Sequence, residues 1–273
     1  MEIRTEKESS KHFTEIARLY DKFRDTDAEV VDFIADAIGQ VGGSLSLDLA
    51  TGTARYPIAV ARKYGHGFVC VDINENMLAA AREECAHTNG LIKFVHADCC
   101  DLNGVVGAEK TYGVVSIMNA LNYIPDIPAL TRSVAGAIAE EGSFLVYTRM
   151  DDQNDRTIWG QHFPGFSERE TSFLGHSGFP TPELKDLISQ GGMEVVDIQA
   201  FELARDNTLP ELTRKVDARY YTTFDRYSPS DLELAKTGFI ENIHTAFPET
   251  RTDPNYRINH VSPMSMVIAK RAE

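Results

Sequence analysis

The sequence predicts a doubly wound α/β fold, in which helices cover both faces of a largely parallel sheet. Short apolar runs alternate with segments of helical periodicity up to residue 148, which is typical of right-handed βαβ units. The runs "GFVCV" and "YGVVSIM" are almost entirely apolar, as strands buried on both faces are. Beyond residue 148 this alternation is lost, and a different kind of structure is expected there.

Each element follows from the spacing of its apolar residues. The segments "FTEIARLY" and "EVVDFIADAI" each place apolar residues on one helical face and are expected to precede the sheet. Strands are expected at 44–49, 67–72, 91–96, 112–118 and 143–148. Helices are expected at 56–64, 75–87 and from about 127 to 140.

The segment after residue 148 is expected to insert an α+β cap beside the sheet. "TPELKDLISQGG" and "SPSDLELAKTGFIENI" predict helices, because each opens with capping residues and continues at helical spacing. "MEVVDIQAF" and "PMSMVIAK" predict strands, and the alternation in "KVDARYYTTF" predicts another, half-buried strand. The predicted domains are a core with N-terminal helices (1–148), cap insertions (149–180 and 202–260) and the C-terminal part of the core sheet (181–201 and 261–273).

The composition limits the kinds of partner. The formal net charge of −14 argues against a broad nucleic-acid surface, because phosphate binding needs clustered Lys and Arg. No apolar run reaches the length of about 18 residues that a membrane span needs, and no signal-peptide region is seen. We therefore expect a cytoplasmic protein with a small-molecule partner. The cysteines lack C-x-x-C spacing and are expected to be reduced: Cys70, Cys85, Cys99 and Cys100.

The stretch "DLATGTA" joins the first strand of the sheet to the helix that follows. A dinucleotide site would need G-x-G-x-x-G, and the residues at those positions are Ala50, Gly52 and Arg55. An arginine cannot make the close helix–strand packing that the third glycine allows, which disfavours NAD. The residues instead fit the pattern acidic-x-small-x-Gly-x-small, through Asp48, Ala50, Gly52 and Ala54. Gly52 can also adopt a positive φ.

This pattern resembles the first motif of the class I S-adenosylmethionine-dependent methyltransferases, which is usually written with three glycines. The resemblance implies a Rossmann-like seven-stranded sheet, mostly parallel with an antiparallel last strand. It implies S-adenosylmethionine as the cofactor and S-adenosylhomocysteine as its product. Asp48, Ala50, Thr51 and Gly52 would then lie against the methionine part of the cofactor. The resemblance covers residues 10 to 150 well and the terminal strands more loosely.

Other residues at strand ends resemble later motifs of the same family. Asp72 ends the second strand, 20 residues beyond Gly52, where the family's carboxylate binds both ribose hydroxyls. Ile73 and Met77 follow and are suited to contacting the adenine ring. In "FVHADCCDL", the resemblance places Asp98 at the adenine amino group, with the Cys99 backbone beside it. In "VVSIMNALNYI", it places Asn119 beneath the reactive end of the cofactor.

Several of these residues have structural alternatives. Asp48 could be a polar strand-end residue, and either Asp98 or Asp101 could merely cap a turn. Tyr20 and Arg24, in "LYDKFR", occupy the place where related enzymes fold a helix over the cofactor. An amphipathic helix also needs an aromatic residue such as Tyr20 for packing.

Residues of the cap are candidates for contacting the acceptor. His162, in "WGQHFPGF", is a candidate base or substrate ligand, although a lone loop histidine is often an ordinary surface residue. Asn122, Trp159 and Tyr221 are further candidates for lining the acceptor pocket, and the alternative is that the aromatic residues form the cap's own core. No cluster shows metal-ligand spacing, so no metal is predicted, and adjacent Cys99 and Cys100 are expected to be buried filler rather than reactive thiols.

The predicted function is methyl transfer from S-adenosylmethionine to a small organic molecule by in-line displacement. A tRNA or rRNA methyltransferase is one alternative, which the acidic charge disfavours. The (Asn/Asp)-Pro-Pro-(Tyr/Phe) motif of amino-methylating DNA enzymes is replaced by "NALNY". A non-catalytic S-adenosylmethionine-binding protein is the other alternative. The protein is expected to be a monomer or a homodimer.

Overall fold

The computed structural model describes residues 25–42, 45–105, 112–170 and 178–272. The helix expected in "FTEIARLY", and with it Tyr20 and Arg24, lies outside these ranges.

The described strands form one seven-stranded sheet. They are β1 (Ser46–Leu49), β2 (Phe68–Asp72), β3 (Ile92–His96), β4 (Tyr112–Met118), β5 (Ile138–Thr148), β6 (Met193–Asn207) and β7 (Ile258–Arg271). The order is β3-β2-β1-β4-β5-β7-β6. Neighbours from β3 to β5 pair in parallel, whereas β7 runs antiparallel to β5. This confirms the predicted Rossmann-like sheet with its antiparallel last strand.

Helices connect these strands. In the described residues they are α1 (Ala28–Gln40), α2 (Arg55–Tyr64), α3 (Glu75–Glu84), α4 (Ile127–Ala137), α5 (Ile158–His162), α6 (Phe166–Arg169), α7 (Thr181–Ser189), α8 (Leu209–Asp217) and α9 (Pro229–Ala246). Short 3₁₀ turns lie at Cys85–His87, Leu121–Tyr123, Thr222–Arg226 and Pro248–Arg251. None of the helices in the described ranges is long and apolar enough to cross a membrane.

The sheet positions a ligand site through its strand order. The chain winds outward from β1 to β3 and then returns to the other side of β1 as β4. Every residue of β1 and β2 is buried, as expected for interior strands that are covered on both faces. In an open α/β sheet, ligands bind outside the carboxyl ends of the strands at the point where the order reverses, here between β1 and β4.

Two boundaries differ from the sequence prediction. Helix α4 ends at Ala137, three residues before the expected position, and β5 starts at once with Ile138. Ile138 is fully buried and pairs with Tyr112 at the start of β4. Gly136 weakens the end of the helix, and burial of a β-branched residue on the sheet favours the extended conformation at Ile138.

The strand expected in "KVDARYYTTF" was wrong. Residues up to Asp217 belong to α8, and the rest forms a turn and the 3₁₀ segment Thr222–Arg226. The helix starts at a capping box, in which Thr208 and Glu211 each accept the other's backbone N–H. The buried residues Leu209, Leu212 and Val216 then recur at helical spacing, which outweighs the local alternation.

The described chain divides into two compact units. The sheet unit comprises 25–148, 181–199 and 265–272, and the aromatic unit comprises 149–180 and 200–264. The aromatic unit has a core of its own around Trp159. The Trp159 ring lies 5.2 to 6.2 Å, between ring centroids, from five other aromatic rings: Phe163, Phe166, Tyr221, Phe224 and Phe239.

Candidate functional site

A cavity of about 680 Å³ opens in the sheet unit at the carboxyl ends of β1, β2 and β4. Its volume lies within the range typical of small-molecule sites. It is lined by all ten described residues that the sequence assigned to the cofactor. These are Asp48, Ala50, Thr51, Gly52, Asp72, Ile73, Met77, Asp98, Cys99 and Asn119.

The turn between β1 and α2 has an unusual backbone that brings it close to the cavity. Ala50, Gly52 and Ala54 have φ values of +47°, +57° and +55°, so all three are left-handed. Glycine adopts this region freely, whereas a Cβ atom makes it costly. A Cβ on Gly52 would also lie 3.2 Å from the Met77 Cε. The alternating small residues therefore form a turn that presents backbone, rather than side chains, to a ligand.

Asp72 joins this turn to the end of β2. Its Oδ2 accepts a hydrogen bond from the Gly52 N–H at 2.7 Å, and its Oδ1 accepts one from the Asn74 N–H at 2.8 Å. Burial raises the pKa of the Asp72 carboxyl, and these two backbone hydrogen bonds oppose the rise. Asp72 is 8% exposed and lines the cavity. Its carboxylate is thus a structural anchor as well as an acceptor at the cavity wall.

Asp48 lies beneath the same turn and is almost completely buried. Its two oxygens accept hydrogen bonds of 2.5 Å from the hydroxyls of Thr51 and Ser116. Burial raises the pKa of Asp48 to about 7, although both hydroxyl hydrogen bonds lower it. The residue therefore supports the turn from below and changes charge near neutral pH.

The rest of the cavity lining combines apolar and polar groups. Ile73 is half exposed, while Met77 is buried beneath the Gly52 turn. Asp98 Oδ1 accepts a hydrogen bond from the Cys100 N–H at 2.8 Å, so Asp98 does cap a turn while it lines the cavity. Asn119 has a φ of +58°, and its N–H donates to the Tyr147 carbonyl at 2.7 Å.

The cavity also has lining residues that the sequence reading missed. Arg55, Tyr56 and Pro57 open α2 directly after the small-residue turn. Tyr123, in the 3₁₀ turn after β4, lines the cavity, whereas the predicted Asn122 next to it does not. In a 3₁₀ turn, adjacent side chains point in different directions, so the choice between them depends on the turn geometry. The only available signal was the position of these residues next to strand ends.

The remaining acceptor candidates lie in the aromatic unit. Trp159 is only 4% exposed, and Tyr221 packs on it. Trp159 therefore belongs to that unit's core and does not line an acceptor pocket, as the sequence had suggested. His162 is half-buried, lies against the ring of Phe247 and lines a polar cleft of about 610 Å³. Burial lowers the pKa of His162. The imidazole is therefore neutral, and able to accept a proton, at neutral pH.

Comparison with known proteins places the site in a family context. Residues 47–142 match the family described as "Methyltransferase domain". A demethylmenaquinone methyltransferase of Staphylococcus saprophyticus is 25% identical over 178 residues, which are 58% of this chain and 74% of that protein.

Solved structures with the same fold include two that match nearly the full chain. A SAM-dependent methyltransferase from Thiobacillus denitrificans, in complex with S-adenosyl-L-homocysteine, aligns with a TM-score of 0.55 at 14% identity, over 99% of this chain and 100% of that one. The cyclase SpnF aligns with a TM-score of 0.61 at 15% identity, over 99% and 97%. At this identity the likeness establishes the fold.

Proposed function

We propose, on the premise that this chain belongs to the class I S-adenosylmethionine-dependent methyltransferases, that it methylates a small organic molecule. S-adenosylmethionine is the cofactor, and the reaction requires a methyl acceptor. The proposal rests on the cavity at the carboxyl ends of the strands, which several elements border together. The small-residue turn, the buried carboxylate of Asp72 and the ends of β1, β2 and β4 all border it.

The cavity walls fit the parts of an adenosyl cofactor. In our proposal the carboxylate of Asp72 accepts hydrogen bonds from the ribose hydroxyls. Each carboxylate oxygen has two lone pairs, and the contacts with Gly52 and Asn74 use one on each. These contacts also hold the carboxylate in one orientation, so little order has to be gained on binding.

The adenine ring has an apolar wall and a polar edge in this arrangement. Ile73, half exposed at the cavity wall, would lose apolar surface against the ring, and Met77 would pack beneath it. Asp98 would accept from the adenine amino group through the oxygen that the Cys100 N–H leaves free, with the Cys99 backbone nearby. Tyr20 and Arg24, which lie outside the described residues, remain proposed contacts.

The methionine part would lie on the turn after β1. Thr51 and Gly52 present backbone groups there, and Asp48 holds Thr51 in place from below. Asn119, which has a left-handed backbone directly after β4, also lines the cavity and would border the reacting end. Residues on rigid strand ends keep such a geometry better than residues on free loops.

Alignment is the main contribution of the protein in this mechanism. When bound, the cofactor would supply an activated methyl group: the acceptor would form a bond to the methyl carbon as the bond from that carbon to sulfur breaks, and S-adenosylhomocysteine would leave. Holding the two reactants at the right distance and angle can lower the barrier by about 7–11 kcal/mol. A side chain that removes a proton from the acceptor would add a factor of about 10²–10⁴. His162, which lines the polar cleft of the aromatic unit, is our proposed base.

A small acceptor is favoured by charge. The chain carries a net charge of −14. Carboxylates form ion pairs with several of its cations, including Lys63, Arg156 and Arg257. Nucleic-acid binding depends on clustered cations that neutralise phosphates. We propose that the aromatic unit takes part in recognising the acceptor, and that the protein acts in the cytoplasm as a monomer or homodimer.

The test is an acceptor screen with methyl-labelled S-adenosylmethionine. Purified protein is incubated with a small-metabolite extract, with total tRNA and rRNA, or with no acceptor, and labelled products and S-adenosylhomocysteine are measured. We expect label in the small-molecule fraction only. Label in RNA would refute the small-acceptor proposal. Cofactor binding without product in any arm of a broad screen would favour a non-catalytic binding protein.

A further inference from the structure

A pair of adjacent thiols forms part of the cavity wall beyond β3. Cys99 and Cys100 both line the cavity, and the methyl-transfer proposal uses neither sulfur atom. In the part of the chain that the structure describes, the two Sγ atoms and a carboxylate oxygen of Asp98 all lie within 4.8 Å of one another. Three groups that are ligands for metal ions thus converge on one point of the cavity.

The backbone holds these groups together. The Cys100 N–H donates to Asp98 Oδ1, which fixes the carboxylate over its own turn, and the second oxygen has no hydrogen bond to any described residue. The Cys100 carbonyl accepts from the Ser133 hydroxyl at 2.8 Å, and the Cys100 Sγ lies 3.9 Å from the Asp126 carbonyl oxygen. The turn is therefore anchored on α4 and its N-cap, Asp126.

The thiols contact each other rather than any cation. A hydrogen bond with Cys100, together with burial, raises the pKa of the Cys99 thiol. A metal ion binds the thiolate form of cysteine, so metal binding must displace the thiol protons.

We propose that Asp98, Cys99 and Cys100 bind a thiophilic divalent cation of the zinc class at the wall of the cavity. Two sulfurs and one carboxylate oxygen are ligands that zinc accepts, with water completing a tetrahedron. Zinc–sulfur bonds of about 2.3 Å put two tetrahedral sulfurs about 3.8 Å apart, which side-chain rotation can reach from the present separation. Binding forms two metal–sulfur bonds and one metal–oxygen bond, and the two thiol protons pass to solvent.

This site departs from the sequence prediction that no metal is bound. Adjacent cysteines lack the spacing of known zinc motifs, and the contribution of Asp98 is visible only in the folded turn. The site also overlaps the proposed adenine position. We therefore infer that the bound cation excludes the adenosyl ligand, an inference that rests on the proposed function.

Cadmium is a suitable probe, because it gives ultraviolet charge-transfer absorption when thiolates bind it. Chelator-treated full-length protein is titrated with Cd²⁺, Zn²⁺ or Mg²⁺ and followed by absorption and calorimetry. We expect one equivalent of Cd²⁺ or Zn²⁺ to bind, whereas Mg²⁺, which prefers oxygen ligands, does not. Cys99→Ser and Cys100→Ser should weaken Cd²⁺ binding by at least about 10–100-fold, the loss caused by removing even an outer-shell partner.

The control is Cys85→Ser, which removes a partly exposed thiol in the turn Cys85–His87. It should bind Cd²⁺ as the wild type does. Circular dichroism verifies that each variant is folded. Unchanged Cd²⁺ affinity in folded Cys99→Ser and Cys100→Ser protein would overturn the metal site, as would equal binding of Mg²⁺.

The effect on the adenosyl ligand is measured separately. In metal-free wild-type protein, S-adenosylhomocysteine binding tests the proposed function alone. Saturation with Zn²⁺ should then reduce that affinity at least tenfold in the wild type, but not in Cys100→Ser. Metal binding with an unchanged S-adenosylhomocysteine affinity would overturn the exclusion. A failure of metal-free protein to bind S-adenosylhomocysteine would refute the cofactor site and leave the metal site supported.

Discussion

Asp48 makes the stability of the protein depend on pH in a distinctive direction. Its folded-state pKa of about 7 lies above the ordinary aspartate pKa of 3.8, so between these values the folded state binds the proton more tightly than the unfolded chain. The free energy of unfolding therefore falls as pH rises from about 4 to 7. At 1.36 kcal/mol per unit, the loss attributable to Asp48 is about 4 kcal/mol.

Asp48→Asn removes this titration and still offers one acceptor and one donor to the hydroxyls of Thr51 and Ser116. We expect the unfolding free energy of the wild type to fall, relative to that of Asp48→Asn, as pH rises from 4 to 8. Urea unfolding measures both free energies. Asp101→Asn, at an exposed turn carboxylate, is the control and should run parallel to the wild type. Parallel curves for Asp48→Asn would contradict the assigned pKa.

Asp72 is expected to affect both ligand affinity and stability. Asp72→Ala removes the acceptor for two backbone N–H groups and, in our proposal, for the ribose hydroxyls, so stability should fall along with affinity. Each unsatisfied buried N–H costs about 1–3 kcal/mol. Loss of a charge-assisted hydrogen bond should reduce S-adenosylhomocysteine affinity by about ten- to hundredfold, measured by calorimetry below the lowered melting temperature. Asp101→Asn again serves as the control, and equal affinity in both variants would show that Asp72 does not contact the ligand.

The turn after β1 stores backbone strain at the element scale. An alanine in the left-handed conformation costs about 1–2 kcal/mol. A glycine costs about 0.5–1 kcal/mol, because it loses more conformational freedom on folding. Ala50→Gly and Ala54→Gly should therefore leave stability unchanged or raise it by up to about 1 kcal/mol. Ala79→Gly, at an exposed position in α3, should cost about 1 kcal/mol. Thermal unfolding distinguishes these signs, and a loss at Ala50 as large as at Ala79 would refute the strain.

Elements were predictable from sequence where burial alone decided them. The strands β1, β2 and β4 are short, largely apolar and buried, and their ends place cofactor candidates around one cavity. The helix α8 was not predicted, because the strand was inferred from local alternation of apolar residues. The helix starts earlier in the chain, at the capping box of Thr208. Contacts between distant residues, such as Asp72 with the Gly52 N–H, depend on the folded turn and have no local signature.

The site was predictable only to the level of strand ends. Tyr123, rather than Asn122, faces the cavity because of the geometry of a 3₁₀ turn. The convergence of Asp98 with two cysteines needs the turn that the Cys100 N–H closes. The acceptor has no sequence signature at all, because the same fold carries different chemistry, as the cyclase SpnF shows.

At the scale of the whole molecule, the aromatic unit contains two kinds of residue: those that support the fold and those that are proposed for the reaction. Trp159→Ala should destabilise the protein by about 3–5 kcal/mol, because the ring is buried among other aromatics. His162→Ala, at a half-buried position, should cost much less and lower kcat by about 10²-fold or more. Urea unfolding and steady-state kinetics measure the two effects. A rise in KM alone for His162→Ala would indicate substrate orientation rather than proton removal.

The central claim is that the cavity at the ends of β1, β2 and β4 binds an adenosyl cofactor rather than a dinucleotide. Calorimetric titration of metal-free protein with S-adenosylhomocysteine and, separately, with NAD tests it directly. We expect S-adenosylhomocysteine to bind with a stoichiometry of one and to stabilise the protein by about 2.7 kcal/mol at one hundred times its Kd, with no heat from NAD. Binding of NAD without binding of S-adenosylhomocysteine would contradict the account.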